Sequence, residues 1–311
     1  MKKTLYSTLT VAAFGLLFTA CAKSPEIPAE PDAAIEKISR EVGAGNTGIL
    51  WKAMPATYQS DVNGLVQLAS TKLDAEMYEQ TFAMFGRLAD VAQKQKDFIL
   101  NTQMLQGQSA EEKAKLEASL PGLIGVVKTL SQSDLSTIAG LQGFDGQAFF
   151  ETTVAELAQY AVELSKLSDA EQTTLEDLKQ AAVEVVERTE NEATLKISVP
   201  GSEPESEVYR LIEGRWVPAE MADEWSTQMA DAKAKLEALS VEEMTANKPQ
   251  IMGVLTMFTG VLDQLDAAET QQQFDTALQG AMMPIMGLMM MGQGGGAQPM
   301  APSMPAEPVA E

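Results

Sequence analysis

From Val62 to Phe98 the apolar side chains return at helical spacing, and this periodicity constrains the fold more than any other feature of the chain. Val62, Leu65, Val66, Ala69, Leu73, Met77, Met84, Leu88, Val91 and Phe98 fall three, four or seven residues apart, so they line one side of a helix and leave the other side to polar groups. Pro55 suits a first helical position, where its missing N–H costs nothing, and Gly107 marks an end. The stretch predicts one long amphipathic helix, or two in series. A stripe of this kind needs other helices to cover it.

The later sequence supplies them. Ser109 with Glu112, Ser168 with Glu171, and Ser240 with Glu243 each place a hydroxyl three residues before a carboxylate, the pairing that satisfies free N–H groups at a helix start. Asp145 is a fourth candidate cap, before a run whose apolar face is Phe149, Phe150, Val154, Leu157, Ala161 and Leu164. A further helix follows Pro218 to about Leu239. From Pro249 the residues Ile251, Val254, Leu255, Phe258, Val261, Leu262 and Leu265 form a wide apolar face.

Between Val183 and Val217 the period changes. Leu195, Ile197 and Val199 alternate with Thr194, Lys196 and Ser198, the pattern of a half-buried strand. Val183 to Thr189 precedes it across Glu190, Asn191 and Glu192, where Asn191 suits a left-handed turn. Val208 to Ile212 and Arg215 to Val217 follow, separated by a turn at Glu213 and Gly214. The fold class expected is therefore α+β, predominantly helical, with long amphipathic helices and a three- or four-stranded antiparallel meander near residues 183–217.

The closing part of the meander, Tyr209, Arg210, Leu211, Ile212, Glu213, Gly214, Arg215, Trp216 and Val217, resembles the last strands of the nuclear-transport-factor-two-like fold. The resemblance spans residues 183–217. It implies a sheet curled around an apolar pocket, which some members of that fold use for catalysis and many for binding alone. This chain departs from the pattern in having no clear early strand and in carrying long helices after the meander. A helical protein with a small inserted sheet is the other reading.

The first residues have the layout of an export signal: Lys2 and Lys3, an apolar run from Leu9 to Phe18, then Thr19 and Ala20 before Cys21. That run is shorter than the roughly 20 residues needed to span a bilayer. Leu17, Phe18, Thr19, Ala20 and Cys21 resemble the lipobox of bacterial lipoproteins, with Phe18 where that family most often has Leu. The resemblance implies cleavage before Cys21, lipid on its thiol and membrane attachment through that lipid. Because Ala22 and not Asp follows, it also implies the outer membrane, facing the periplasm, in a Gram-negative host. The organisation expected is a signal peptide over 1–20, a lipidated N-terminus and proline-rich spacer over 21–32, a helical region over 33–144, an α+β region over 145–239, an apolar, Met-rich helical region over 240–291 and a disordered tail over 292–311.

Composition narrows the function. Without Lys2 and Lys3 the chain keeps 20 basic against 44 acidic side chains, a net charge of −24, which argues against nucleic acid as a partner. There is no histidine, and Cys21 is the single cysteine, so Ser-His, Cys-His and His/Cys zinc sites cannot be built from this chain. No catalytic, cofactor-binding or metal-ligating residue is assigned; Cys21, as the lipidation site, is the one site residue. The function expected is a non-enzymatic envelope lipoprotein that binds a protein partner or an apolar ligand, or acts as a scaffold. Two alternatives stand beside it. One is an enzyme whose meander-lined pocket uses carboxylates and Tyr209. The other is Cu(I) binding by Met282, Met283, Met286, Met289, Met290, Met291, Met300 and Met304, since thioethers are soft ligands.

Overall fold

The computed structural model describes residues 27–167 and 174–281, and it is a predominantly helical α+β structure with one small sheet. β1 (Ala182–Arg188), β2 (Glu192–Ser198), β3 (Glu205–Ile212) and β4 (Arg215–Pro218) pair in sequence order, each antiparallel to the next, so the meander has four strands. Val185 lies opposite Leu195, Ala193 opposite Tyr209, and Leu211 opposite Trp216. Side chains alternate across a strand, so these residues share one face. The register slips between Val185 and Glu187, and Val186, the extra residue, is exposed.

The turns depart from the sequence reading at one position. Glu213 and Gly214 have φ of 50° and 75°, the two successive positive values of the tight turn that suits strand twist. Asn191, expected in a left-handed conformation, does not have one: Glu213 is the only non-glycine residue with positive φ among the described residues. Thr189 closes the β1–β2 connection instead. Its N–H donates to the Glu192 carbonyl at 2.7 Å and its hydroxyl accepts from the Glu192 N–H at 3.1 Å, so the turn needs no left-handed residue.

The apolar face of the sheet is filled by the first helix, α1 (Pro31–Gly43), which has Pro31 at its start and Asp32 in its first turn. Ala34, Ile35, Ile38 and Val42 recur at three- and four-residue spacing, and with Ile49 they meet Ala193, Leu195, Tyr209 and Trp216. The segment before the helix is tied down too. Ile27 is buried, the Trp216 indole N–H donates to the Ala29 carbonyl at 2.8 Å, and Arg188 pairs with Glu30. Ile27 to Glu30 had been expected in the extended spacer; they dock because Ile27 and Trp216 have apolar surface to bury.

The remaining helices form the body: α2 (Gly48–Ala53), α3 (Ala56–Ser70), α4 (Ala75–Lys94), α5 (Lys96–Leu100), α6 (Ala110–Gln132), α7 (Ile138–Gln142), α8 (Gly146–Phe149), α9 (Ala155–Ser165), α10 (Ala219–Glu237) and α11 (Val241–Asp266). Of the two forms expected after Pro55, helices in series are found. Asp74 makes the break by accepting from the Met77 N–H at 3.0 Å and capping α4, and α5 adds a last short piece. The capping box at Ser109 and Glu112 is present, and Asp145 accepts from the Gln147 N–H. Ser168 and Glu171 lie outside the described residues. A π-helical stretch, Phe150–Val154, joins α8 to α9, so the run predicted from Asp145 is one helix with a widened turn.

Two contacts show how closely these helices approach. A Cβ on Gly125 would sit 2.3 Å from the Tyr160 ring, and one on Gly146 would sit 2.1 Å from the Trp51 ring. On the other side of α4, Val91 packs with Leu262, Leu265 and Ala268 at the end of α11 and with Phe274 and Ala277 beyond it. The buried Gln95 amide N–H group reaches the carbonyls of Leu265, Asp266 and Ala268 at 2.8, 3.0 and 3.1 Å. A side chain from one helix thereby satisfies the open end of another.

Leu195 is fully covered at the centre of the α1–sheet contact. Leu195→Ala is expected to cost about 2–5 kcal/mol in denaturant unfolding, and a loss under about 1 kcal/mol would contradict this assignment of the core.

Candidate functional site

A cleft lies where α3 and α10 run side by side, and its position is fixed by the sheet. The Glu213 carboxylate, at the tip of the β3–β4 turn, accepts from the Thr57 backbone N–H at 3.0 Å and from the Thr57 hydroxyl. A residue from the sheet thus caps the first turn of α3, where free N–H groups and the helix dipole favour a negative charge. At the other side of the sheet Arg210 pairs with Asp223 on α10 and with Glu192 on β2.

Between these ties the two helices meet through aromatic rings. Tyr58 is buried and stacks on Trp225 with centroids 4.0 Å apart and planes 6° from parallel. The Trp225 indole N–H donates to the Asp61 carboxylate at 2.9 Å. Burial, then the charges of Glu213 and Asp61, raise the Tyr58 pKa, so its ring stays neutral. One turn further, Ser60, Asp61, Gly64, Leu65 and Leu68 of α3 face Met229 and Lys233 of α10 around a cleft of about 350 Å³. Trp225, Met229 and Lys233 are spaced by four, so one face of α10 forms the whole wall.

Its lining combines the apolar Leu65, Leu68 and Met229 with the Asp61 carboxylate and the Lys233 ammonium group. Such a cleft accepts an apolar side chain or short chain segment and offers both charge signs to its flanks. At this cleft the Asp61 carboxylate is engaged by the Trp225 indole, and the chain has no histidine to place beside Ser60.

The other residues singled out by sequence are dispersed. Tyr209 is buried under the sheet, and its hydroxyl donates to the exposed Glu207 at 2.7 Å. Burial and the Glu207 hydrogen bond and charge push its pKa far above the usual phenol range, so it holds its proton as a donor. Glu207, with Glu203, Glu205, Ile197 and Val199, borders a depression of about 420 Å³ at the end of β2 and β3. The one buried carboxylate among the described residues, Asp275, accepts from Thr102 at 2.7 Å and Gln271 at 3.1 Å, which accounts for it as a structural group. No three His, Cys, Asp or Glu side chains among the described residues are placed to share a metal ion. Cys21 and the methionines from Met282 to Met304 lie outside the described residues. No described helix is long and apolar enough to cross a membrane.

Sequence reasoning missed Tyr58, Asp61, Glu213 and Trp225. One signal was available: Trp225 is a lone large aromatic on a strongly charged helix, with Met229 four residues on. Comparison with protein-family models, with curated proteins and with solved structures finds no match for the chain.

The hydroxyl and N–H groups of Thr57, helped by the Ala56 N–H, hold the Glu213 carboxyl below its ordinary pKa. A carboxyl depressed in the folded state stabilises fully above its unfolded value, about 4.3, and loses that contribution as pH falls through the lower folded value. Glu213→Gln should therefore melt lower than the parent at pH 7, with the gap closing in acid. Thermal scans at pH 7 and below pH 4 check this, and a gap that is constant with pH would contradict it.

Proposed function

We propose that this chain is a non-enzymatic cell-envelope lipoprotein, held on a membrane by lipid on Cys21, that binds an apolar segment of a protein partner, or an apolar ligand, in the α3–α10 cleft. In a Gram-negative host it stands on the outer membrane and faces the periplasm. The leader, the small residues before Cys21 and the following Ala22 support the anchor and its location. The cleft, lined by apolar side chains together with one carboxylate and one ammonium group, is the observation that carries the binding reading.

The anchor also orients the body. From Cys21 to the docked Ile27 a fully extended chain reaches at most about 20 Å. The α1–sheet unit is then the part nearest the bilayer, and the partner reaches the cleft from the aqueous side. An overall charge of −24 after cleavage repels anionic lipid, so the lipid group and not the protein surface supplies attachment.

A photo-cross-linking residue in place of Leu65 or Met229, in intact cells, tests the cleft. The expected result is a discrete adduct that a Leu68→Asp substitution in the same chain reduces at least about tenfold, as loss of roughly 1.4 kcal/mol or more of binding would. Absence of any adduct from both positions, with the protein at its normal level and fractionating normally, would overturn the reading.

A further inference from the structure

Glycine inside a helix weakens it relative to alanine, so a helical glycine calls for a reason. Close neighbours supply one on α4 and α6: a Cβ would come within 3.2 Å of Ser131 at Gly86, 3.0 Å of Leu164 at Gly122 and 2.3 Å of Tyr160 at Gly125. Gly64, in the middle of α3, has no such reason. A Cβ there would meet no atom within 4 Å, and Gly64 is not among the glycines with positive φ, so neither packing nor backbone conformation demands it. The open space beside it is the α3–α10 cleft, whose lining Gly64 shares with Leu65, Leu68 and Met229. Gly253 and Gly260 of α11 are equally open but lie outside that lining. The charged groups there keep capacity for a ligand: Asp61 Oδ2 accepts from Trp225, and Lys233, 63% exposed, reaches Glu237 only at 3.9 Å.

We propose, resting on the binding reading of this cleft given above, that Gly64 is its specificity-determining residue and that the occupant is a peptide segment of a partner protein. The segment passes with its backbone close over Gly64 and sets an aliphatic side chain against Leu65, Leu68 and Met229. It carries a basic residue toward Asp61 and an acidic residue toward Lys233. Two features favour a peptide over an acyl chain. A missing Cβ on a helix matters most where another backbone must approach closely, which a slender, flexible hydrocarbon has no need to do. The lining also offers one charge of each sign, and a peptide can answer both where a fatty acid has a single anionic head. Gly64 thereby lowers the stability of α3 and keeps the cleft open, the exchange of stability for function expected at a binding site.

A photo-cross-linking residue in place of Met229, in the full chain and in intact cells, reads the contact. It is used alone and together with Gly64→Ala, Gly64→Leu or, for comparison, Gly253→Ala. The expected adduct is a peptide, identified by mass spectrometry of its digest, with an aliphatic residue flanked by one basic and one acidic side chain. Gly64→Leu should lower its yield at least about tenfold by filling the space the partner backbone needs. Gly64→Ala should lower it about threefold while raising the melting temperature of the purified protein by about 1–3 °C, as alanine does at an open helical position. Gly253→Ala should raise the melting temperature and leave the adduct unchanged. Weaker binding in a more stable protein is a combination that damage to the fold does not produce. An undiminished adduct in Gly64→Leu, or a Gly64→Ala protein that melts below the parent, would overturn the role of Gly64 while binding in the cleft still stood. A lipid adduct, or a peptide without that charge pattern, would overturn the occupant. Absence of any adduct from the parent would overturn the cleft reading and this inference with it.

Discussion

The contact on which the rest depends is the seating of α1 on the inner face of the sheet. A meander of four short strands has one apolar face and cannot stand alone in water, so Ala193, Leu195, Tyr209 and Trp216 require a cover. Ala34 and Ile35 supply it, from the helix that follows the expected anchor most closely. Long-range order then runs outward in steps. Trp216 holds Ala29, Glu213 caps α3, and α3 holds Trp225 through Tyr58 and Asp61. A displacement of the sheet would therefore be felt at the cleft, because no flexible linker separates the two.

Charge plays a smaller part in cohesion than the count of acidic residues implies. The pairs Arg87 with Asp263 and Lys94 with Asp266 join α4 to α11 but are solvent-exposed, where such pairs are worth about 0–1 kcal/mol each. Apolar contact through Val91, Leu262 and Phe274 decides that interface. Polar groups matter most where they close helix ends: Gln95 at the end of α11, Glu213 at the start of α3, and Asp74 at the start of α4 with Lys248 beside it. Each satisfies backbone groups that would otherwise face a neighbouring element unpaired.

Local pattern made much of the architecture legible. Alternation around Leu195 gave the strands, and the Ser109 and Asp145 caps mark real helix starts, since both signals act within a few residues. Asn191 misled because a threonine hydroxyl and backbone carbonyl offered that turn another closure, while Glu213 took the left-handed position at the tip. The fate of Ile27 was hidden because proline-rich sequence reads as spacer, whereas its burial depends on Trp216, far along the chain. The cleft was the least legible part. Tyr58, Asp61, Glu213 and Trp225 come together from separate elements, and no local period encodes that meeting.

The proposed anchor requires that the chain be processed and acylated at one position. Mass spectrometry of the amino-terminal peptide from protein extracted with detergent from its own cells measures this directly. The account predicts that the chain begins at Cys21 and carries fatty-acyl mass on that residue. An amino terminus at Cys21 without lipid, or a chain that still retains residues 1–20, would contradict it.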